Sequence, residues 1–385
     1  MIDLQALAGS FVDKCMASPR WHAWVLTGGV LAVGALAGSG VMAADVLAPG
    51  TDKVTIKAAK PAAKSVVFTH KDWELACDNT RTCRAVGYHR DQDSNNPLAL
   101  LLERQAGVAT ATTAKLMLGY YGENETPPMP ASLDVLVNGR SLGRVAVEKN
   151  SGVAELNAAQ TAAVLLALPK VADVQFASGK SRWKLSGDGA TAVLLKMDEA
   201  QGRLGTATAL VKKGHASDDG VLPVLPVPVV RMGAIDTSKP VDKRLSAVIK
   251  PLLSSSKDID CIDLAKTEDT EPLQIWRVNA AKLLVSARCW SGAYNFGHGY
   301  WLVNDKPPYQ PQLITDSGSD YSHGIISASH KGRGLGDCWS SNEWVWNGID
   351  FTHSSASTTG MCKLVAPGGA WSLPTVVSNV IPAAK

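Results

Sequence analysis

The sequence has little excess charge of either sign. Its 385 residues include 38 basic and 35 acidic side chains, so the formal net charge is only +3. Proteins that bind nucleic acid carry a clustered excess of Lys and Arg on one face or along one helix. A balance this even predicts that nucleic acid is not a partner.

Several motifs that carry chemistry are also missing. The sequence contains no G-x-S-x-G, no H-E-x-x-H, no C-x-x-C and no H-x-x-x-H spacing, which removes the common patterns of serine hydrolases and zinc sites. The stretch GRGLGD at residues 332–337 resembles a phosphate-binding loop, but its third glycine is misplaced and a strand is expected to follow it. We therefore interpret it as a turn beside a cysteine, and we expect neither a metal nor a cofactor.

The N-terminus carries the one long apolar run. Residues 24–44 have no charge and end in small residues before Asp45, the layout of a secretory signal. We predict a signal peptide over residues 1–43, whose basic flank is more typical if translation begins at Met16. A retained membrane anchor is the alternative because the run approaches ~20 residues, but its many Gly and Ala residues favour cleavage. The predicted location is the periplasm or the medium.

Cleavage changes the cysteine count from seven to six, because Cys15 lies in the removed segment. An even set in an exported protein favours disulfides over metal ligands. Among the possible pairings, spacing favours Cys77–Cys83, Cys261–Cys289 and Cys338–Cys362. Free thiols for nucleophilic catalysis are the alternative.

The fold class predicted from the pattern of strands and helices is α+β, with two β-rich domains of antiparallel sheets, a few helices and disulfide staples. The Pro-rich run VLPVLPVPVV marks the connector, although it is apolar enough to pack as an edge segment instead. The expected segments are a linker (44–65), an N-terminal α+β domain (66–213), the connector (214–240), a Trp-rich α+β domain (241–372) and a tail (373–385).

Local signals predict several elements. Asn138-Gly139 between alternating apolar residues is typical of a tight hairpin turn, and Asn157 followed by Gln160 is typical of a capped helix start. A second helix is expected after a cap at Asp188, and a third from an apolar stripe. The second helix is expected to expose Asp198, Glu199, Gln201 and Arg203 on a solvated face, and a catalytic carboxylate pair is the alternative. The stripe of the third helix consists of Val241, Leu245, Val248, Ile249 and Leu252.

Tryptophan is unevenly distributed, since seven of the eleven follow residue 241. Trp344 and Trp346 share one face of a predicted strand because side chains alternate along a strand. If exposed, this pair would form a binding surface for a glycan or peptide together with Tyr294, Tyr300 and Tyr321. The alternative is burial beside the disulfides, which the usual burial of Trp favours.

Histidines and aspartates also lie close in the last third of the sequence, and a His–Asp pair there would support hydrolysis. Surface residues of turn-rich β domains are the alternative interpretation. The residues concerned are His298, His323, His330 and His353 with Asp316, Asp320 and Asp337.

Four blocks of the sequence carry a resemblance: FTHKDWELACDNTRTCRAVGY, LSGDGATAVLLKMDEAQGRLGTATAL, RCWSGAYNFGHGYWL and SHKGRGLGDCWSSNEWVWNGIDF. They resemble a bacterial secreted or periplasmic family, known as domain of unknown function 1176. The resemblance runs from about Phe68 to Trp371, and the first half is also faintly similar to the invasion-associated locus B family of envelope proteins. The resemblance implies an exported protein and supplies no catalytic residue.

Together these features predict an exported cell-envelope protein that binds a protein or glycan partner and is not an enzyme. The alternative function is an envelope hydrolase with a His–Asp site in the C-terminal loops.

Overall fold

The computed structural model of the chain describes residues 64–119, 129–170, 172–236, 238–242, 244–254, 261–264 and 272–383. All of them belong to one compact unit, Ala59–Lys385. The predicted signal peptide with Cys15, and the predicted linker up to residue 63, lie outside the described residues. Within the described ranges, no helix combines the length and apolar character that a membrane span requires.

The N-terminal part of the described chain, up to residue 213, is built from two antiparallel sheets and two helices. Its strands are β1 (Val66–His70), β2 (Trp73–Cys77), β3 (Cys83–Tyr88), β4 (Leu98–Arg104), β5 (Thr113–Leu118), β6 (Ser132–Val137), β7 (Arg140–Ala146), β8 (Val153–Leu156), β9 (Val174–Ser178) and β10 (Ser181–Leu185). The first sheet has the order β1-β2-β3-β4-β5-β8 and the second has the order β10-β9-β6-β7. Helices α1 (Ala158–Ala167) and α2 (Ala190–Ala200) share one apolar core with these sheets.

The predicted hairpin and first helix are confirmed. Asn138 and Gly139 both have positive φ (50° and 77°) and join β6 to β7, as a two-residue mirror turn requires. Asn157 caps α1, because its side chain accepts from the Gln160 N–H while the Gln160 side chain accepts from the Asn157 N–H.

The second helix differs from its prediction in its cap and in its polar face. Gly189, in the left-handed region, precedes α2, and no side chain caps it. Asp198, Gln201 and Arg203 are buried, so the expectation of a solvated face was wrong for them. Asp198 and Gln201 meet a cation from β4, Arg104, which donates to each of them at 2.8 Å. Arg203 donates to the Gly107 carbonyl and to the Thr110 hydroxyl.

The C-terminal part consists of three sheets and one helix, α3 (Leu245–Ser254). Its strands are β11 (Val229–Arg231), β12 (Gln274–Arg277), β13 (Lys282–Ser291), β14 (Phe296–Asn304), β15 (Gln312–Gly318), β16 (Asp320–Ser322), β17 (Ile325–Lys331), β18 (Trp339–Trp346), β19 (Phe351–Thr358), β20 (Leu373–Val376) and β21 (Asn379–Ile381). Two antiparallel sheets have the orders β12-β13-β14-β15 and β16-β17-β18-β19-β20, while β11 pairs with β21 in parallel.

The last two residues of the Pro-rich run, Val229 and Val230, lie in β11, which pairs with β21. The predicted tail carries β20 and β21. In α3 the apolar stripe is shifted: Ile249 and Leu253 are buried, whereas Val248 and Leu252 are exposed. The side of α3 that faces the core therefore carries Ile249 and Leu253, which are four positions apart.

The six cysteines form the disulfides Cys77–Cys83, Cys261–Cys289 and Cys338–Cys362, the pairs that the spacing favoured. With antiparallel sheets and three helices in the described ranges, the structure confirms a disulfide-stapled α+β fold. The division into two domains at residues 214–240 stays a prediction.

Candidate functional site

The hairpin of β13 and β14 ends in a group of accessible aromatic side chains. Tyr294 in its turn is 48% exposed and Phe296 at the start of β14 is 44% exposed. Trp290 on β13, His330 on β17 and Trp339 on β18 are half-buried. These five residues are called the aromatic tip below.

Trp290 lies flat on the neighbouring strand because its partner there is a glycine. Trp290 and Gly297 are paired across β13 and β14. A Cβ atom on Gly297 would lie 2.3 to 2.7 Å from three indole atoms, Nε1, Cε2 and Cζ2. Since these three distances are nearly equal, a ring face and not a ring edge covers the glycine. Any other residue at position 297 would displace the indole.

Hydrogen bonds hold the hairpin turn against β17. The Asn295 side chain donates to the Lys331 carbonyl at 2.8 Å and accepts from the Lys331 N–H at 3.0 Å. The His330 ring is centred 5.3 Å from the Trp290 ring, and its Nε2 lies 3.2 Å from the Phe296 carbonyl. The tip is thus fixed by strand pairing on one side and by a second sheet on the other, which reduces the entropy lost on binding.

Two cations accompany the rings of this region. The Arg288 guanidinium lies 5.2 Å from the centre of the Phe296 ring, and Lys331 Nζ lies 5.5 Å from that of Trp339. Both distances fall within the range of a cation–π attraction. Phe296 and Trp339 therefore each have a positive charge beside the ring.

Four of the five predicted binding aromatics lie elsewhere, in an internal cluster. Trp346 and Tyr300 are fully buried there, and Tyr321 and Trp344 are half-buried against the same core. The face of β18 that carries Trp344 and Trp346 points inward. The sheet of β12–β15 and the sheet of β16–β20 pack on each other through that face. Only Tyr294 belongs to the aromatic tip, so the predicted exposed surface of five residues is not assembled.

The predicted His–Asp candidates are held mainly by other groups. His323 hydrogen-bonds to Ser322, His353 to Asn342 and His330 to a carbonyl. Burial lowers the pKa of His353. In the described part of the chain, none of these three histidines is hydrogen-bonded to Asp316, Asp320 or Asp337.

Asp337 has a structural role in the turn that the sequence placed beside a cysteine. Burial alone would raise the pKa of Asp337, but hydrogen bonds from Arg333 and from the Leu364 N–H outweigh it and lower that pKa. Asp337, Cys338 and Cys362 lie close enough to share a metal ion. The two sulfurs are bonded to each other, however, and so offer no thiolate ligand.

A polar cleft of about 480 Å³ lies beside the N-terminus of α2. Its charged side chains balance, and one pair, Arg90 and Asp188, lies 3.4 Å apart. This balance gives the cleft no preference for a ligand of one charge. The charged lining consists of Arg90, Lys170, Lys184, Asp93, Asp173 and Asp188.

Comparison with known proteins places the chain in a family. The profile of the family described as "Protein of unknown function (DUF1176)" matches residues 67–378. The chain belongs to this family. It is also 24% identical over 301 residues to the uncharacterized protein YpfG of Escherichia coli (strain K12), covering 73% of this chain and 84% of that protein. No solved structure matches.

The family resemblance predicted from the sequence is therefore confirmed, whereas the likeness to the invasion-associated locus B family is not shown. The aromatic tip falls within two of the four blocks that carry the resemblance. Trp290, Tyr294 and Phe296 lie in RCWSGAYNFGHGYWL, and the following block contains His330 and Trp339.

Trp290 and Phe296 were not among the predicted binding residues. The signal that could have identified Trp290 is its neighbourhood, because a strand with alternating glycines, FGHG, leaves room for rings from the strand beside it.

Proposed function

We propose that this protein is an exported, non-catalytic binding protein of the cell envelope, and that its protein or glycan partner docks on the aromatic tip. The observation that carries the proposal is the exposure of Tyr294 and Phe296 at the end of a hairpin that hydrogen bonds fix in place. Accessible aromatic and Arg side chains on a rigid element are typical of residues that dominate binding energy.

Export is supported by the covalent structure. Three disulfides within one chain are stable in an oxidising compartment and are rare in the cytosol. The predicted signal peptide agrees with that location, which we propose to be the periplasm or the medium. Binding is favoured over hydrolysis because His323, His330 and His353 have partners other than the neighbouring aspartates.

Site-specific photo-crosslinking in the producing cells tests this proposal. A benzophenone amino acid replaces Tyr294 in the full chain, and the matched control carries it at Leu166, which is 58% exposed on α1. We expect light-dependent adducts of higher mass from position 294 and none from position 166. Equal adducts at both positions, or none at either, would contradict a partner surface at the tip.

A further inference from the structure

We propose that the partner of the aromatic tip is a polysaccharide of all-equatorial pyranose units, one of which stacks on the exposed part of the Trp290 ring. This inference rests on the proposed function and names the chemical class of the partner. It begins with the manner in which the indole is held.

The Trp290 ring is supported from below. The indole lies on the backbone of β14 at Gly297, the His330 ring is centred 5.3 Å from it, and part of the indole stays exposed. A pyranose ring whose substituents are all equatorial presents axial C–H bonds on a flat, apolar face. Such a face matches an indole in shape and in polarity.

Aromatic rings also lie against glycines at three positions in the interior of the described chain. Trp301 lies against Gly299, Tyr300 against Gly318 and Trp73 against Gly87, and all three rings are buried. Trp290 is the member of this set that remains half-exposed. A stacking ligand would cover the exposed part of the Trp290 ring, as protein atoms cover the rings at the other three positions.

Polar groups fixed around the ring fit the hydroxyl-bearing rim of a sugar. Trp290 Nε1 lies 3.4 Å from Ser317 Oγ, and that hydroxyl donates to Asp316 at 2.7 Å. His330 lies beside the indole and Asn295 holds the turn. An apolar face surrounded by hydrogen-bonding groups suits a ligand that is apolar on its faces and polar at its rim.

The test is a titration of the full disulfide-bonded chain with cellohexaose and with chitohexaose, which are uncharged oligomers of such pyranose units. Calorimetry gives the affinity, and hydroxyl-radical footprinting of the unmodified chain reports which side chains the sugar covers. We expect saturable binding of at least one oligomer and protection of Trp290. We also expect Trp290→Ala to weaken binding by at least about tenfold, Trp290→Phe to retain part of it, and Leu166→Ala to leave it unchanged.

The footprint on the unmodified chain keeps the test decisive if Trp290→Ala does not fold. The proposal is overturned if neither oligomer binds at concentrations up to about 10 mM, or if binding occurs without protection of Trp290. If crosslinking from position 294 captures a protein while neither oligomer binds, the glycan inference fails and the proposed function stands. If neither crosslinking nor titration detects a partner, both fail.

Discussion

Glycines beneath aromatic rings are the residues on which the packing of this molecule depends most directly. Gly87 pairs with Trp73 across β2 and β3, as Gly297 pairs with Trp290 across β13 and β14. In the first pair the indole is fully buried, and its Nε1 donates to the Ser186 carbonyl at 2.7 Å. That hydrogen bond fixes the ring, so it cannot move aside for a larger residue on the neighbouring strand.

Gly87→Ala should therefore be strongly destabilising. The added Cβ would lie 2.2 Å from Trp73 Cζ2, and overpacking of this kind reduces the free energy of unfolding by about 1–3 kcal/mol or more. Urea denaturation followed by tryptophan fluorescence measures the change.

Gly187→Ala is the matched control for that substitution. No atom lies within 4 Å of a Cβ at position 187, so its effect should stay within about 0.5 kcal/mol. Equal losses in the two variants would show that the contact with Trp73 is not the cause.

At the scale of helices and strands, the features that the sequence predicts well are those completed within a few residues. The Asn138-Gly139 turn and the Asn157–Gln160 capping box each involve neighbours along the chain. The disulfide between Cys77 and Cys83 closes a hairpin whose strands pair at those same residues. Local backbone chemistry is sufficient to specify all three.

Features that depend on distant residues could not be predicted in this way. Asp198 is buried against Arg104, 94 residues earlier, which supplies its charge partner. Alternation along β18 shows that Trp344 and Trp346 share a face, but which face becomes interior is decided by the packing of two sheets. For the same reason the sequence identified Tyr294 in the candidate site and missed Trp290, whose orientation depends on Gly297.

The buried ion pair between β4 and the end of α2 gives a prediction at this scale. Asp198 accepts from Arg104 and, through its second oxygen, from the Leu210 and Val211 N–H groups. Burial lowers the pKa of Arg104, and Asp198 acts in the opposite direction. Asp198→Ala leaves that guanidinium buried without its carboxylate, so we expect the free energy of unfolding to fall by about 3–5 kcal/mol.

Glu199→Ala is the control, because Glu199 is exposed and forms a surface ion pair with Lys196. Its effect should not exceed about 1 kcal/mol. The double variant Arg104→Met with Asp198→Leu should recover part of the loss, since it removes both charges. If Asp198→Ala and Glu199→Ala have the same effect in thermal or urea denaturation, the pair contributes little.

At the scale of the whole molecule, the C-terminal end of the chain is bound to the first sheet. Val365, Ala370 and Leu373 share an apolar cluster with residues of β2, β3 and β4. Lys363 lies between Asp72 and Asp91, at 2.9 and 2.6 Å. These contacts connect residues almost 300 positions apart in the sequence.

Backbone groups of the same segment reach the interior of that sheet. The Met361 N–H donates both to the Glu74 carboxylate and to the Tyr88 hydroxyl. Burial raises the pKa of Glu74, and the hydrogen bonds from Tyr88 and Met361 partly offset it. Cys362, bonded to Cys338 at the start of β18, lies between Met361 and Lys363. The disulfide therefore holds in place the residues that join the two parts of the chain.

Removal of this disulfide should release that connection before the sheets themselves unfold. The cysteines are 24 positions apart, so chain entropy predicts a loss of about 3 kcal/mol in the free energy of unfolding for Cys338→Ala with Cys362→Ala. Hydrogen exchange at Met361 should accelerate, because its amide then depends on a segment without a covalent tether.

The double variant Cys77→Ala with Cys83→Ala separates the loss of global stability from the local release of the segment around Met361. It removes a disulfide of separation 6 inside one hairpin, for which the same model predicts about 2 kcal/mol, and it leaves residues 359–365 tethered. We therefore expect exchange at Met361 to accelerate by a larger factor in the Cys338–Cys362 variant, even where denaturant is adjusted to give the two variants equal global stability. Equal exchange rates under those conditions would mean that packing of Val365 and Leu373, and not the disulfide, holds the C-terminal segment on the first sheet.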